Sequence, residues 1–187
     1  MKREVGAGAI EIAKGDITRE QVDAIVNAAN KTLLGGGGVD GAIHRAAGRV
    51  LDEECRKLRG CDTGDAKITT GGNLRAKCVI HTVGPIYRDG KHGEPGLLAS
   101  CHRRSLEVAV ENGLKTVSFP AISCGVYGYP VPEAARIAMK TVGEFLQTHK
   151  DIELVRFVLF TQDVYDAFEQ ALTEFGSDGV RAGVQEA

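Results

Sequence analysis

Asn27 to Gly48 reads NAANKTLLGGGGVDGAIHRAAG, and its reading decides the fold. It opens on the end of a short run, Ala24 to Ala28, that is apolar on both sides until it meets Asn27. A continuous apolar strand of this kind belongs to a sheet covered by helices on both faces. Gly35, Gly36, Gly37 and Gly38 then follow one another. Glycine loses more backbone freedom on folding than any other residue. A run of four therefore points to a backbone that approaches a ligand closely or takes positive φ repeatedly. A flexible linker is the alternative, but apolar segments flank the run, and Gly and Ser do not. Val39 to Ala47 resumes as a helix rich in small residues. Asp40 sits in or before its first turn, where the helix dipole favours an anion.

Working outward, Ala9 to Ala13 alternates as a strand, and Gly15, Asp16 and Thr18 form a turn. In that setting Asp16 and Ile17 are either a plain turn or cap or a contact point at a strand end. Arg49 to Leu58 is helical. Ala66 to Thr70 and Cys78 to Val83 are strands joined across Gly71, Gly72 and Asn73. Tyr87 to Gly96 is a polar surface loop, Leu97 to Asn112 a helix and Thr116 to Phe119 a strand. Pro132 and Glu133 suit the first turn of the next helix. Leu154 to Phe160 is the last strand and Val164 to Phe175 the last helix. Helices separate most strands, which predicts a three-layer α/β/α sandwich with a mixed central sheet. Residues 1–175 are expected to form a single domain. Residues 176–187 lack periodicity and are read as a disordered tail.

The chain has 187 residues, 43% of them hydrophobic, and a formal net charge of -2. That composition supports one globular core and gives no global bias toward nucleic acid or anionic membranes. No apolar stretch is long enough to span a bilayer. Cys55, Cys61, Cys78, Cys101 and Cys124 form no CxxC pair. They read as reduced, structural thiols of a cytoplasmic protein, and the spacing offers no structural zinc site.

A second glycine-punctuated segment, Ala121 to Ala135, also leaves a strand and enters a helix. Two such loops on one rim, each exposing backbone N–H groups near a helix N-terminus, suit a diphosphate or a larger nucleotide-like ligand. Neither is a Walker A motif, since no GK[ST] follows, and the dinucleotide fingerprint is matched only trivially. Asn27, Asn30 and Asp40 could converge on a hydroxylated group beside that anion. His44 lies one helical turn after Asp40, so the two can meet, although a scaffold histidine is the commoner outcome. His81 has the apolar neighbours of a core histidine. Tyr127 could close over a ligand, and Tyr129 is read evenly between that role and packing.

NAANKTLLGGGGVDGAIHRAAG, CVIHTVGPIY and FPAISCGVYGYP, in that order and spacing, resemble the macrodomain family, and within it the MacroD-type branch of bacterial O-acetyl-ADP-ribose deacetylases. The resemblance spans roughly Ala9 to Phe175. It implies a cleft for ADP-ribose at the C-terminal rim of the sheet. Asp16, with the Ile17 backbone, would receive the adenine, and Phe160 would pack near it. Gly35, Gly36, Gly37, Gly38 and Val39 would wrap the distal ribose and a phosphate. Ser123, Cys124, Gly125, Val126 and Tyr127 would hold the diphosphate, with Tyr127 over the distal ribose. Asn30 would bind the ribose hydroxyls and Asp40 would be the principal catalytic carboxylate. Asn27, at the edge of the binding set, would brace the loop.

The implied reaction is hydrolysis of O-acetyl-ADP-ribose, and of ADP-ribosyl esters on acidic protein side chains, without metal or cofactor. Non-catalytic reading of ADP-ribose is the alternative within the family. Some relatives are thought to bind a ribonuclease, a partner for which no feature of this sequence argues. A well-solvated Asp40 would be a weak base near neutral pH, which favours positioning of water with modest proton acceptance. The family commonly has Thr where Cys124 stands, a mild change if only the backbone is used there.

Overall fold

The computed structural model describes residues 1–182. The elements are β1 (Lys2–Val5), β2 (Gly8–Lys14), β3 (Ala24–Ala29), α1 (Gly38–Ala47), α2 (Arg49–Leu58), β4 (Ala66–Thr70), β5 (Cys78–Val83), α3 (Glu94–Glu111), β6 (Thr116–Phe119), α4 (Val131–Thr148), β7 (Leu154–Leu159) and α5 (Gln162–Ala182). The sheet has seven strands in the order β1-β2-β7-β6-β3-β5-β4. From β2 to β5 neighbouring strands run parallel, and β1 and β4 close the edges antiparallel. This is the expected α/β sandwich with a mixed sheet.

Alternation along the strands sorts the core. In β3, Ala24 and Val26 point into one apolar cluster, with residues of α3, α4 and α5. Ile25 and Ala29 point into the other, with residues of α1 and α2. Asn27 therefore faces α1 and α2, by period two. His81 of β5 is its register partner and faces the same way. Leu33 anchors the start of the glycine loop: it adopts φ 60° and is fully buried in the α1/α2 cluster.

Three differences from the sequence expectation go beyond a residue or two at an element's end. The edge strand β1 carries Lys2, Arg3 and Glu4, and only Val5 is buried, so no apolar alternation marks it. Helix α3 begins at Glu94 inside the stretch read as loop. The Glu94 carboxylate accepts backbone N–H groups of Arg88, Asp89, Gly90 and His92, which folds that loop around a charge. Helix α5 continues through Gly176 to Ala182, past the boundary at 175. Residues 183–187 of the expected tail lie outside the described residues. Among the described residues no helix is long and apolar enough to cross a membrane.

Candidate functional site

Each parallel strand delivers one wall of a cleft at its C-terminal end, where open α/β sheets collect their ligands. Gly15 and Asp16 follow β2, Asn30 and the glycine loop follow β3, Gly84 follows β5, Pro120 to Pro130 follow β6, and Phe160 follows β7. One end of the cleft is a cavity of about 480 Å3 that brings together Asp16, Ile17, Cys124 and Phe160. The other, about 280 Å3, brings together Asn30, Asp40, Ser123 and Tyr127. Gly38, Val39, Ala121 and Gly125 line both, so the two are one trough. A larger hollow of about 790 Å3 between β1, α4 and α5 has no such convergence; there Arg136 is bonded to Glu174.

At the first end, Asp16 Oδ1 accepts the Thr18 N–H at 3.0 Å and the Thr18 hydroxyl at 2.7 Å. These bonds hold its carboxyl below the usual range, with burial opposing and Arg19 assisting. Asp16 is thus the turn-capping residue and also a wall of the cavity. Phe160 is 81% exposed, a free aromatic face above that wall.

At the second end the decisive group is Asp40. Its place in the first turn of α1 tucks it beneath the glycine loop, where it is 5% exposed. The carboxylate is not well solvated, because α1 starts at Gly38 and its first turn already faces the sheet. Asn27 Nδ2 donates to Asp40 Oδ1 at 2.8 Å, a charge-assisted bond worth about 1.5–3 kcal/mol. The same amide lies 3.2 Å from His81 Nδ1. Both contacts need N–H donors from Asn27. His81 Nδ1 is therefore the acceptor, and its Nε2–H donates to Thr69 Oγ1 at 2.9 Å, which in turn donates to the Thr70 carbonyl at 3.0 Å. The tautomer follows from the network. Burial brings the His81 pKa down to about 4, consistent with this neutral form. On its other flank Asp40 Oδ1 lies 3.2 Å from His44 Nε2. That nitrogen has no hydrogen-bond partner, so the contact acts through charge and not alignment. His44 Nδ1 meets Asp52 Oδ1 at 2.7 Å.

Glycine is required here by close approach. A β-carbon on Gly36 would stand 3.1 Å from Asp40 Oδ2 and 3.4 Å from Asn30 Nδ2, and one on Gly41 would stand 2.5 Å from the Gly36 carbonyl. Asn30 braces the same loop, donating to the Gly35 carbonyl at 2.9 Å and accepting from Thr32 at 2.7 Å. In the second loop Ser123 adopts φ 64°, and its hydroxyl donates to the Pro85 carbonyl at 2.8 Å. Gly125 and Val126 are left open to solvent, with Val126 fully exposed.

Two residues of the expected binding set stand elsewhere. Asn27 is buried behind Asp40, because its strand alternation points it at α1; it positions the carboxylate and lines neither cavity. Gly35 turns toward His44 and a second pocket behind the loop. Ser123 and Cys124 present only backbone with a turned-away side chain: Cys124 Sγ lies 3.5 Å from the Ile122 carbonyl, and burial pushes its thiol up to about 12, which suits an unreactive group. Tyr129 is buried against Tyr87, which settles it as packing. The scaffold residues His81, Thr69 and Asp52 were not legible as site residues, since each acts through another side chain.

Among the described residues, two groups of side chains approach closely enough to offer a metal three donors, His44/Cys55/His81 and Asp89/His92/Glu94. In the first both His81 nitrogens are engaged and burial pushes the Cys55 thiol up to about 11. In the second the Glu94 carboxylate is occupied by backbone N–H groups. Neither donor set suits a resident ion.

Comparison with known proteins places this arrangement. Residues 26–138 match the Macro domain family. A Macro domain-containing protein of Methanosarcina mazei is 54% identical, covering 93% of both chains. An O-acetyl-ADP-ribose deacetylase of Citrobacter koseri is 52% identical over 90% of this chain and 98% of its own. Among solved structures, the Oceanobacillus iheyensis macrodomain with ADP superposes with a TM-score of 0.91 at 44% identity, covering 95% of this chain and 97% of that one. The Trypanosoma brucei macrodomain in complex with ADP-ribose gives 0.82 at 44% identity, over 87% and 68%. With the sheet order, the two loops and these relatives in agreement, the chain belongs to the Macro domain family.

Proposed function

We propose that the protein binds ADP-ribose in this trough and hydrolyses O-acetyl-ADP-ribose to ADP-ribose and acetate. The same chemistry would release ADP-ribosyl esters from acidic protein side chains. The observation that carries the proposal is the buried Asp40 carboxylate, fixed by Asn27 at 2.8 Å at the floor of the glycine-lined end. A module that only reads ADP-ribose would have no need to bury and brace a carboxylate there. The relatives named for deacetylation and the neighbours solved with ADP and ADP-ribose support the substrate class.

In this reading the two ends divide the ligand. Asp16 and Phe160 take the adenine, the second loop's backbone N–H groups take the diphosphate, and Asn30 with Tyr127 takes the distal ribose. Asp40 Oδ1 is committed to Asn27 and His44. Oδ2 remains to orient a water toward the ester carbonyl and to accept part of its proton. Holding that water in place, more than basicity, lowers the barrier.

The test is release of acetate from O-acetyl-ADP-ribose, with ADP-ribose binding followed by calorimetry. Asp40→Ala should bind ADP-ribose within about threefold of wild type and lose turnover by about 100-fold or more. Undiminished turnover in that variant would sink the mechanism. Binding without turnover in the wild type would favour the reader alternative.

A further inference from the structure

We propose that Asp52 is a positioning residue for Asp40: through His44 it holds an imidazole behind the carboxylate and links that pair to solvent by a pocket separate from the cleft. The proposal rests on the hydrolytic reading above and goes beyond it, since Asp52 touches neither cavity of the trough.

The geometry is a line of three side chains. Asp40 and His44 share one face of α1 at i,i+4, with Oδ1 and Nε2 3.2 Å apart. Gly48 breaks the helix at φ 86°, which turns α2 back so that Asp52 in its first turn meets His44 Nδ1 at 2.7 Å. Exposure rises along the line: the side chains of Asp40, His44 and Asp52 are 6%, 9% and 45% exposed. His44 and Asp52 open on a pocket of about 380 Å3, whose wall includes Gly35, Arg45 and Arg56. Gly36 is the one residue this pocket shares with the glycine-lined end of the trough. A ligand filling the trough would leave the rear pocket open.

The charges facing His44 come from every side. Asp40 and Arg45 lie on its own helix, and Asp52, Arg56 and Cys55 on α2. His81 on β5 has its ring centroid 6.3 Å away. The glycine loop contributes no titratable group. His81 is held neutral and the Cys55 thiol stays protonated. Contact with Asp40 raises the His44 pKa, burial opposes, and contact with Asp52 raises it further. Without Asp52 the ring would keep one anionic partner, through a nitrogen that makes no aligned hydrogen bond, and would be free to turn. With Asp52 the ring plane is set and Nε2 faces Asp40 Oδ1, leaving Oδ2 to the trough.

A plain interhelical tie would stabilise the fold without touching the pH profile, and this separates the readings. Asp52→Asn, Asp52→Ala and the charge-conserving Asp52→Glu are compared with wild type by NMR titration of the His44 ring. Turnover of O-acetyl-ADP-ribose from pH 5.5 to 9 and calorimetry with ADP-ribose complete the set. In Asp52→Asn and Asp52→Ala the His44 midpoint should fall by about one pH unit. The charged imidazole is what holds Asp40 Oδ1, so kcat should fall above the His44 midpoint, and that fall should move to lower pH in both variants while ADP-ribose affinity stays within about twofold. Asp52→Glu should restore most of both shifts. An unmoved midpoint, or a moved midpoint with an unmoved kcat profile, would overturn the proposal. If wild type releases no acetate at any pH, the hydrolytic reading is lost; the NMR titration still decides whether Asp52 holds His44.

Discussion

Ser123 and Gly84 meet where two loops close on each other: a β-carbon at Gly84 would stand 2.2 Å from the Ser123 hydroxyl oxygen. Ser123 is held at φ 64° by its bond to the Pro85 carbonyl. The second loop is therefore tied to the end of β5 through a contact that admits no side chain.

Gly84→Ala should push Ser123 and Ile122 outward, costing about 1–3 kcal/mol of stability as overpacking. ADP-ribose affinity should fall at least tenfold (on the order of 1.4 kcal/mol), because the loop moves as a unit. Ser123→Ala removes one buried bond and should cost about 1–2 kcal/mol. Urea denaturation and calorimetry read both. A Gly84→Ala protein with native affinity would show that the second loop does not hold the diphosphate.

Gly36 and Gly37 are neighbours with different constraints. At Gly36 a β-carbon presses on Asp40 and Asn30, whereas at Gly37 nothing stands within 4 Å. Gly36→Ala should lower kcat by about tenfold or more through displacement of Asp40. Gly37→Ala should leave stability within about 0.5 kcal/mol. Equal kcat in wild type and Gly36→Ala would mean the carboxylate's position is not critical.

His102 is buried against Phe119 and Phe157, with Nδ1 2.9 Å from the Leu98 carbonyl. Burial lowers its pKa to about 4, as for His81. A histidine depressed in the folded state contributes stability above its ordinary value near 6.5 and loses it as pH falls toward 4. Between pH 7 and 5 each such histidine should withdraw about 2 kcal/mol. His44 runs the other way: its raised pKa contributes fully below 6.5, and the contribution is lost as pH rises through the raised value. His102→Gln should be less stable than wild type at pH 7 and should lose less stability on going to pH 5. Parallel losses in the two proteins, measured by urea denaturation, would refute the assignment.

The Cys124 thiol, pushed up to about 12 by burial, should resist iodoacetamide at pH 8 in the folded protein. Cys124→Thr should keep turnover within a few-fold, since the backbone faces the trough. Rapid alkylation seen by mass spectrometry, or a tenfold gain in turnover, would show that this side chain reaches the ligand.

Most of the architecture was readable because it is carried by short-range pattern. The apolar run of β3, the glycine loop and the helix after it are contiguous, and the family motifs cover them. Edge strand β1 was not readable: a strand with one buried residue has no pattern to show. Nor was the burial of Asp40, which depends on α1 starting one residue before Val39 and folding under its own loop. Asp16, Phe160, Asn30 and Tyr127 were named through the motifs of the resemblance, and all four line the trough. Thr69, His81 and Asp52 reach it only through other side chains, across strands or across the break at Gly48. Spacing along a chain cannot report such contacts.

Asn27 sits in β3 in register with His81 of β5, and Asp40 hangs from it. The carboxylate is therefore indexed to the sheet, while most of the trough's wall belongs to loops. A change at Phe160 or in the second loop can therefore reshape the wall of the trough without moving the carboxylate, whereas a side chain at Gly36 cannot.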